Sequence, residues 1–193
     1  MIRIAITPEH LDDESREALA ARVLLESGWD KVHLRHPGAS RTDIRRLIEA
    51  IPQEFHDRLV LHGHFDLCNE FNLGGLHLNH RCPAPPALYR GPLSRSCHSV
   101  EELRQCTGLA YATLSPIFDS ISKQGYGSRF SDVDLAQLSE ITTPVIALGG
   151  VTAEQIPVLR RYNFKGFAML GAIPWNEPAD HVRQFAEKIM KLQ

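Results

Sequence analysis

The chain has 193 residues, 43% of them apolar and 23% charged, which suits one globular domain over 1–193 with a full core and excludes disorder, collagen and coiled coil. With 21 Lys+Arg against 23 Asp+Glu the formal charge is -2, so no basic excess drives nucleic-acid binding and an anionic ligand needs a local site. No apolar run approaches the roughly 20 residues of a membrane helix, the opening MIRIAIT is no leader, and Cys68, Cys82, Cys97 and Cys106 form no CxxC pair. The expectation is a soluble, cytoplasmic protein with reduced thiols and no nucleic-acid or membrane partner.

Short β-branched or Leu-rich runs alternate with longer amphipathic ones, and this rhythm predicts repeated strand–helix units. Strands are predicted at 2–6, 31–35, 58–62, 75–78, 93–97, 109–114, 144–148 and 165–170. The first helix is read from Pro8 through Leu11, Ala18 and Leu24 to Gly28, and the second from Thr42 through Ile44, Leu47 and Ile48. Later, Ser99 with Glu102 reads as a capping box, Ser131 opens a helix over 132–139, Thr152 opens one over 153–162, and 177–191 closes the chain. The pattern fails between 79 and 92, where four of the 12 prolines argue for an irregular connection.

Eight such units predict an α/β fold, a compact (β/α)8 TIM barrel, although about 250 residues is the usual size. The competing architecture is a flavodoxin-like open sheet, which carries fewer strands at this length.

In a barrel the chemistry belongs at the C-terminal ends of the strands, with phosphate on the loops after the seventh and eighth. Gly149-Gly150 and Gly171-Ala172 fall at those two turns. Taken singly such glycines only make tight turns; together they favour phosphate, because backbone N–H groups can approach an anion there. After the sixth strand, SPIFDSISKQGYGS is too long for a mere connector, and Ser120, Ser122 and Lys123 offer two hydroxyls and a cation to a phosphate or pyrophosphate.

The 10 histidines are partly ordered by the strands. His33 and Arg35 alternate on the second, His62 ends the third with His64 two beyond, His77 lies on the fourth and His98 ends the fifth, so a period of two aims several at one mouth. Such a ring can supply a base or ligate a transition metal. Asp66 is the one carboxylate near these strands, so no residue is assigned to a metal. His98, with Ser96 two residues before it on the same face, has the better claim as acid–base.

These motifs together resemble the thiamine phosphate synthase and TenI family. The synthase pattern Gly-Pro-Ile-Phe/Tyr-Pro-Thr-x-Thr-Lys is similar to Ser115-Pro116-Ile117-Phe118-Asp119-Ser120-Ile121-Ser122-Lys123. The family's two phosphate turns resemble Ala147-Leu148-Gly149-Gly150-Val151 and Leu170-Gly171-Ala172-Ile173, and its Gly-x-Ser-x-His segment resembles Ser94-Arg95-Ser96-Cys97-His98 without the leading glycine. The departures fall on the second, third and fourth strands. Of a Gln-x-Arg-x-Lys segment only Arg35 survives, beside His33 and Pro37; an Asn-Asp pair becomes His62-Gly63, and a further Asp falls near Arg81. Both aspartates that hold Mg2+ in the synthases are therefore missing.

The resemblance implies a TenI-like tautomerase of thiazole carboxylate phosphate, with His98 as base and no cofactor. The substrate-binding set it implies is Arg35, His33, His62, Ser96, Ser120, Ser122, Lys123, Gly149, Gly150, Gly171 and Ala172. The alternatives are a Mg2+-dependent thiamine phosphate synthase, or a non-catalytic barrel binding thiamine phosphate. In each case the partner is a small phosphorylated heterocycle, and the family tendency suggests a homodimer.

Overall fold

The computed structural model describes residues 1–118 and 130–192. The β-branched and leucine-rich runs form β1 (Ile2–Ile6), β2 (Lys31–Leu34), β3 (Leu59–Leu61), β4 (Gly75–Leu78), β5 (Leu93–Cys97), β6 (Tyr111–Leu114), β7 (Val145–Ala147) and β8 (Gly166–Met169). Each pairs in parallel with its sequence neighbour, and β8 returns to pair with β1, closing an eight-stranded barrel. The (β/α)8 expectation holds and the open sheet is excluded.

The helices are shorter than their sequence patterns. α1 (Glu14–Glu26) begins where the Asp13 carboxylate accepts the Arg16 N–H, so Pro8 and Leu11 precede it. α2 (Arg41–Ala50) is capped by Ser40, one residue before the helix and two before Thr42, in a reciprocal box with Asp43. α3 (Leu67–Glu70) has no clear signal in the sequence. α4 (Val100–Arg104) is capped by Ser99, whereas the Glu102 carboxylate accepts the His98 N–H in place of closing the box. α5 (Asp132–Ala136) runs into a 3-10 turn at Gln137–Glu140. A 3-10 turn at Ala153–Gln155 precedes α6 (Ile156–Leu159), and α7 (Ala179–Met190) packs beside α1. Between β4 and β5 the proline-rich stretch forms no helix, as its composition predicts. Four- and five-residue helices are how so few residues surround a full barrel.

The main core lies between strands and helices, with Trp29, Leu24, Leu47, Leu59 and Phe167 fully buried. A second, smaller apolar cluster lies inside the barrel and comprises Ile4, Ile6, Tyr111, Ile146 and Ala168. It comes from β1, β6, β7 and β8, which leaves the strands between to fill the remaining interior.

Candidate functional site

Alternation along β2 to β6 turns His33, His62, His77, Ser94, Ser96 and Tyr111 inward, so one half of the barrel interior is polar and the other aliphatic. Direct bonds between side chains from separate strands join this polar half. His33 Nδ1 lies 2.8 Å from His62 Nε2, and His33 Nε2 lies 2.6 Å from the Tyr111 hydroxyl on the far side of the barrel. The rings of His62 and His77 stack with centroids 4.3 Å apart. His77 in turn spends Nδ1 on the Ser94 hydroxyl and Nε2 on the Ser96 hydroxyl, both at 2.8 Å. Burial depresses the basicity of all three rings, and His77 is pushed down to about 3. Burial also raises the Tyr111 phenol, so the cluster is neutral at pH 7.

This arrangement redistributes the residues expected to touch substrate. His33 is fully buried and gives both nitrogens to its neighbours, which makes it floor beneath a rim site. Ser96 engages His77, two strand positions from the His98 partnership that its spacing suggests. His77, Ser94 and Tyr111 are the members that sequence reasoning left out of the site. The period-two signal did place His77 on the right face, whereas Tyr111 reads as any aromatic strand residue.

At the rim, His98 is exposed, and its Nδ1 stands 3.1 Å from the Ser115 carbonyl oxygen. Donation from Nδ1–H to that carbonyl leaves Nε2 with a free lone pair, the form a general base requires. Arg35 follows β2, its backbone N–H held by the Thr7 hydroxyl at 2.8 Å and its guanidinium 3.8 Å from the Glu9 carboxylate. Gly149 and Gly150 end β7 with φ of +91° and +63°, and a side chain at Gly149 would strike the Pro116 Cα at 2.8 Å. Glycine is thus required there for backbone and for space. Among the described residues, no acceptor takes the N–H groups of Gly150, Gly171 or Ala172. The helix behind the first turn is only α6, so anion affinity there would come from local amides more than from a helix dipole. Ser120, Ser122 and Lys123 lie outside the described residues.

The family described as thiamine monophosphate synthase matches residues 4–173. The chain belongs to that family. The crystal structure of thiamine phosphate pyrophosphorylase from Bacteroides thetaiotaomicron is 32% identical, covers 100% of this chain and 97% of its own, and superimposes with a TM-score of 0.86. Thiamine-phosphate synthase of Bacteroides fragilis is 27% identical over 176 residues, 80% of this chain and 83% of that protein. That of Salinibacter ruber is 24% identical over 181 residues, 87% and 79% of the two chains. These relatives make the chain an enzyme-family member of thiamine biosynthesis. No helix among the described residues is long and apolar enough to cross a membrane.

The Mg2+ that the synthase resemblance implies does not fit the described residues. Mg2+ asks for oxygen ligands in octahedral order, usually carboxylate and water. After β3 and β4 the chain supplies His62-Gly63 and Asn79-His80-Arg81. The neighbouring carboxylate, Asp66, is exposed and held by Arg41 Nε at 2.6 Å. Asn79 spends its amide on the His62 and His77 carbonyls and its oxygen on the Arg81 and Cys82 N–H groups. What this half of the barrel concentrates is imidazole nitrogen, a poor match for magnesium.

Proposed function

We propose that this barrel is a thiamine phosphate synthase, joining a thiazole phosphate to hydroxymethylpyrimidine diphosphate with release of pyrophosphate. The observation that carries the reading is the 32% identity to a thiamine phosphate pyrophosphorylase along the whole chain. In this reading the turns at Gly149-Gly150 and Gly171-Ala172 hold the thiazole phosphate through backbone N–H groups. The resemblance assigns Arg35, Lys123 and the hydroxyls of Ser120 and Ser122 to the diphosphate, where their charge and hydrogen bonds would offset charge on the departing group. The protein acts as a single cytoplasmic domain, and a homodimer accompanies the reading.

A second reading, tautomerisation of thiazole carboxylate phosphate, is favoured by two particular features. His98 has its Nδ1 on the Ser115 carbonyl, and among the described residues after β3 and β4 no unpaired carboxylate stands ready for Mg2+. Here His98 Nε2 takes the acidic ring hydrogen and returns it elsewhere on the ring, while the glycine turns hold the phosphate. A well-placed base contributes about 100- to 10,000-fold.

One assay separates the two: the protein with both precursors, followed for pyrophosphate release, and with thiazole carboxylate phosphate alone, followed for isomerisation. Pyrophosphate release with thiamine phosphate formation establishes the synthase. Isomerisation alone, falling at least about 100-fold in His98→Asn, establishes the tautomerase. Binding of thiamine phosphate with neither reaction would overturn both and leave a regulatory barrel.

A further inference from the structure

The three buried histidines have a geometry that neither reaction uses. Their ligand nitrogens all lie within 4.8 Å of one another, His33 and His77 on β2 and β4 and His62 directly after β3. A tetrahedral Zn2+ with Zn–N bonds of about 2.0–2.1 Å spaces its nitrogens about 3.3 Å apart. The 2.8 Å pair of His33 and His62 would open by about half an ångström and the third ring would close in, which side-chain torsions can supply. We propose that His33, His62 and His77 form a binding site for a transition-metal cation of the zinc class, inside the polar half of the barrel.

For His33 and His77 the surrounding hydrogen bonds match what metal-bound imidazoles need, a second ring nitrogen fixed by an acceptor. His33 presents Nδ1 to the site while Nε2 reaches the Tyr111 hydroxyl. The Ser94 hydroxyl donates to the Leu76 carbonyl at 3.3 Å, so Ser94 Oγ is free to accept from His77 Nδ1–H. That assignment leaves His77 Nε2 with its lone pair, now capped only by Ser96. Thr113, paired with Ser96 in the β5–β6 ladder, is fully buried and its hydroxyl has no partner among the described residues. A buried hydroxyl without a partner, one ladder step from the serine that caps His77, is the expected surrounding of a ligand or bound water. The cation displaces the one proton that His33 Nδ1 and His62 Nε2 share in their 2.8 Å contact, so binding releases or relocates a proton within the cluster. Three protein ligands leave a fourth position for water or a ligand oxygen.

Metal binding at this site does not depend on which reaction the barrel performs, and its test needs no substrate. Untagged protein stripped with a chelator is titrated with Zn2+ by calorimetry and with Co2+ by visible absorption, and crystals grown with Zn2+ are read at the zinc edge. The expected result is one equivalent per chain, a cobalt spectrum of tetrahedral type, no competition from Mg2+, and an anomalous peak between the three rings. Tyr111→Phe, which removes the hydroxyl that supports His33, should weaken binding about 10- to 100-fold, and His62→Gln, at the least buried of the three sites, by more. Absence of saturable binding, an anomalous peak at surface histidines, or affinity unchanged in a folded His62→Gln protein would each overturn the site. Should the variants fail to fold, the zinc-edge map of the unaltered chain decides alone.

Discussion

A neutral imidazole sealed in a barrel is a liability in acid, and three of them share one here. The folded rings of His33, His62 and His77 resist protonation first because they are buried; for His33 the neighbouring His77 and Lys31 add to this, and for His62 the other two rings, Arg35 and Arg81. In the unfolded chain each accepts a proton near its ordinary value of about 6.5. Below that value the unfolded state therefore binds more protons, so stability is complete above about pH 6.5 and declines as the pH falls toward about 3, where His77 itself titrates. Each ring contributes a slope of at most about 1.4 kcal/mol per pH unit. Urea midpoints of the metal-free protein should fall steeply between pH 7 and pH 4, and His62→Gln should flatten the dependence by roughly one proton's worth. A pH-independent midpoint would show that the rings admit protons in place. The sequence revealed the shared face of these residues through their period of two. It could not reveal that His33 faces Tyr111, because that contact joins β2 to β6 across the closed interior and depends on shear, a property of the whole barrel.

At the level of the element, the strands were more legible than the helices. Strands β1, β4 and β5 fall at the bounds that alternation and flanking turn residues predict, even though β5, reading LSRSC, is no apolar run. Helix starts depend on which of several polar residues takes the cap, and that choice is made by the direction in which the chain arrives. For α2, Ser40 accepts the Asp43 N–H and the Asp43 carboxylate accepts the Ser40 N–H in return. Thr42, the apparent starter, is already inside the helix. Ser40→Ala should therefore cost about 1 kcal/mol, and Thr42→Ala should be near neutral. Equal losses from the two, read from paired denaturation curves, would move the cap back to the position that composition suggests. The glycine turns were legible for a different reason. A positive φ of +91° at Gly149, with Pro116 against it, is a need that only one residue type meets, so the residue reports its own geometry.

For the molecule as a whole, closure is the decisive act, because only the ring of eight strands brings the aliphatic and the polar halves of the interior face to face. The closing ladder joins β8 to β1, pairing Ile2 with Gly166 and Ile4 with Ala168. A second tie holds β1 toward β2, where Arg3 gives its backbone N–H and its Nε to the Asp30 carboxylate at 2.8 and 2.7 Å. The seam itself tolerates no side chain at Gly166. A Cβ there would lie 2.2 Å from the Ile2 carbonyl oxygen and 2.9 Å from Ile146 Cδ1, with backbone on one side and the inner apolar cluster on the other. The oxygen belongs to main chain and cannot swing aside, so the added methyl must push β1 and β8 apart. Overpacking of this kind costs about 1–3 kcal/mol, and a backbone obstacle puts Gly166→Ala at the upper end. At Gly38 an added methyl would meet nothing within 4 Å, so Gly38→Ala changes stability by less than about 0.5 kcal/mol. Urea unfolding of the two variants tests the seam directly: a midpoint for Gly166→Ala as high as that for Gly38→Ala would mean that the barrel closes with slack between its first and last strands.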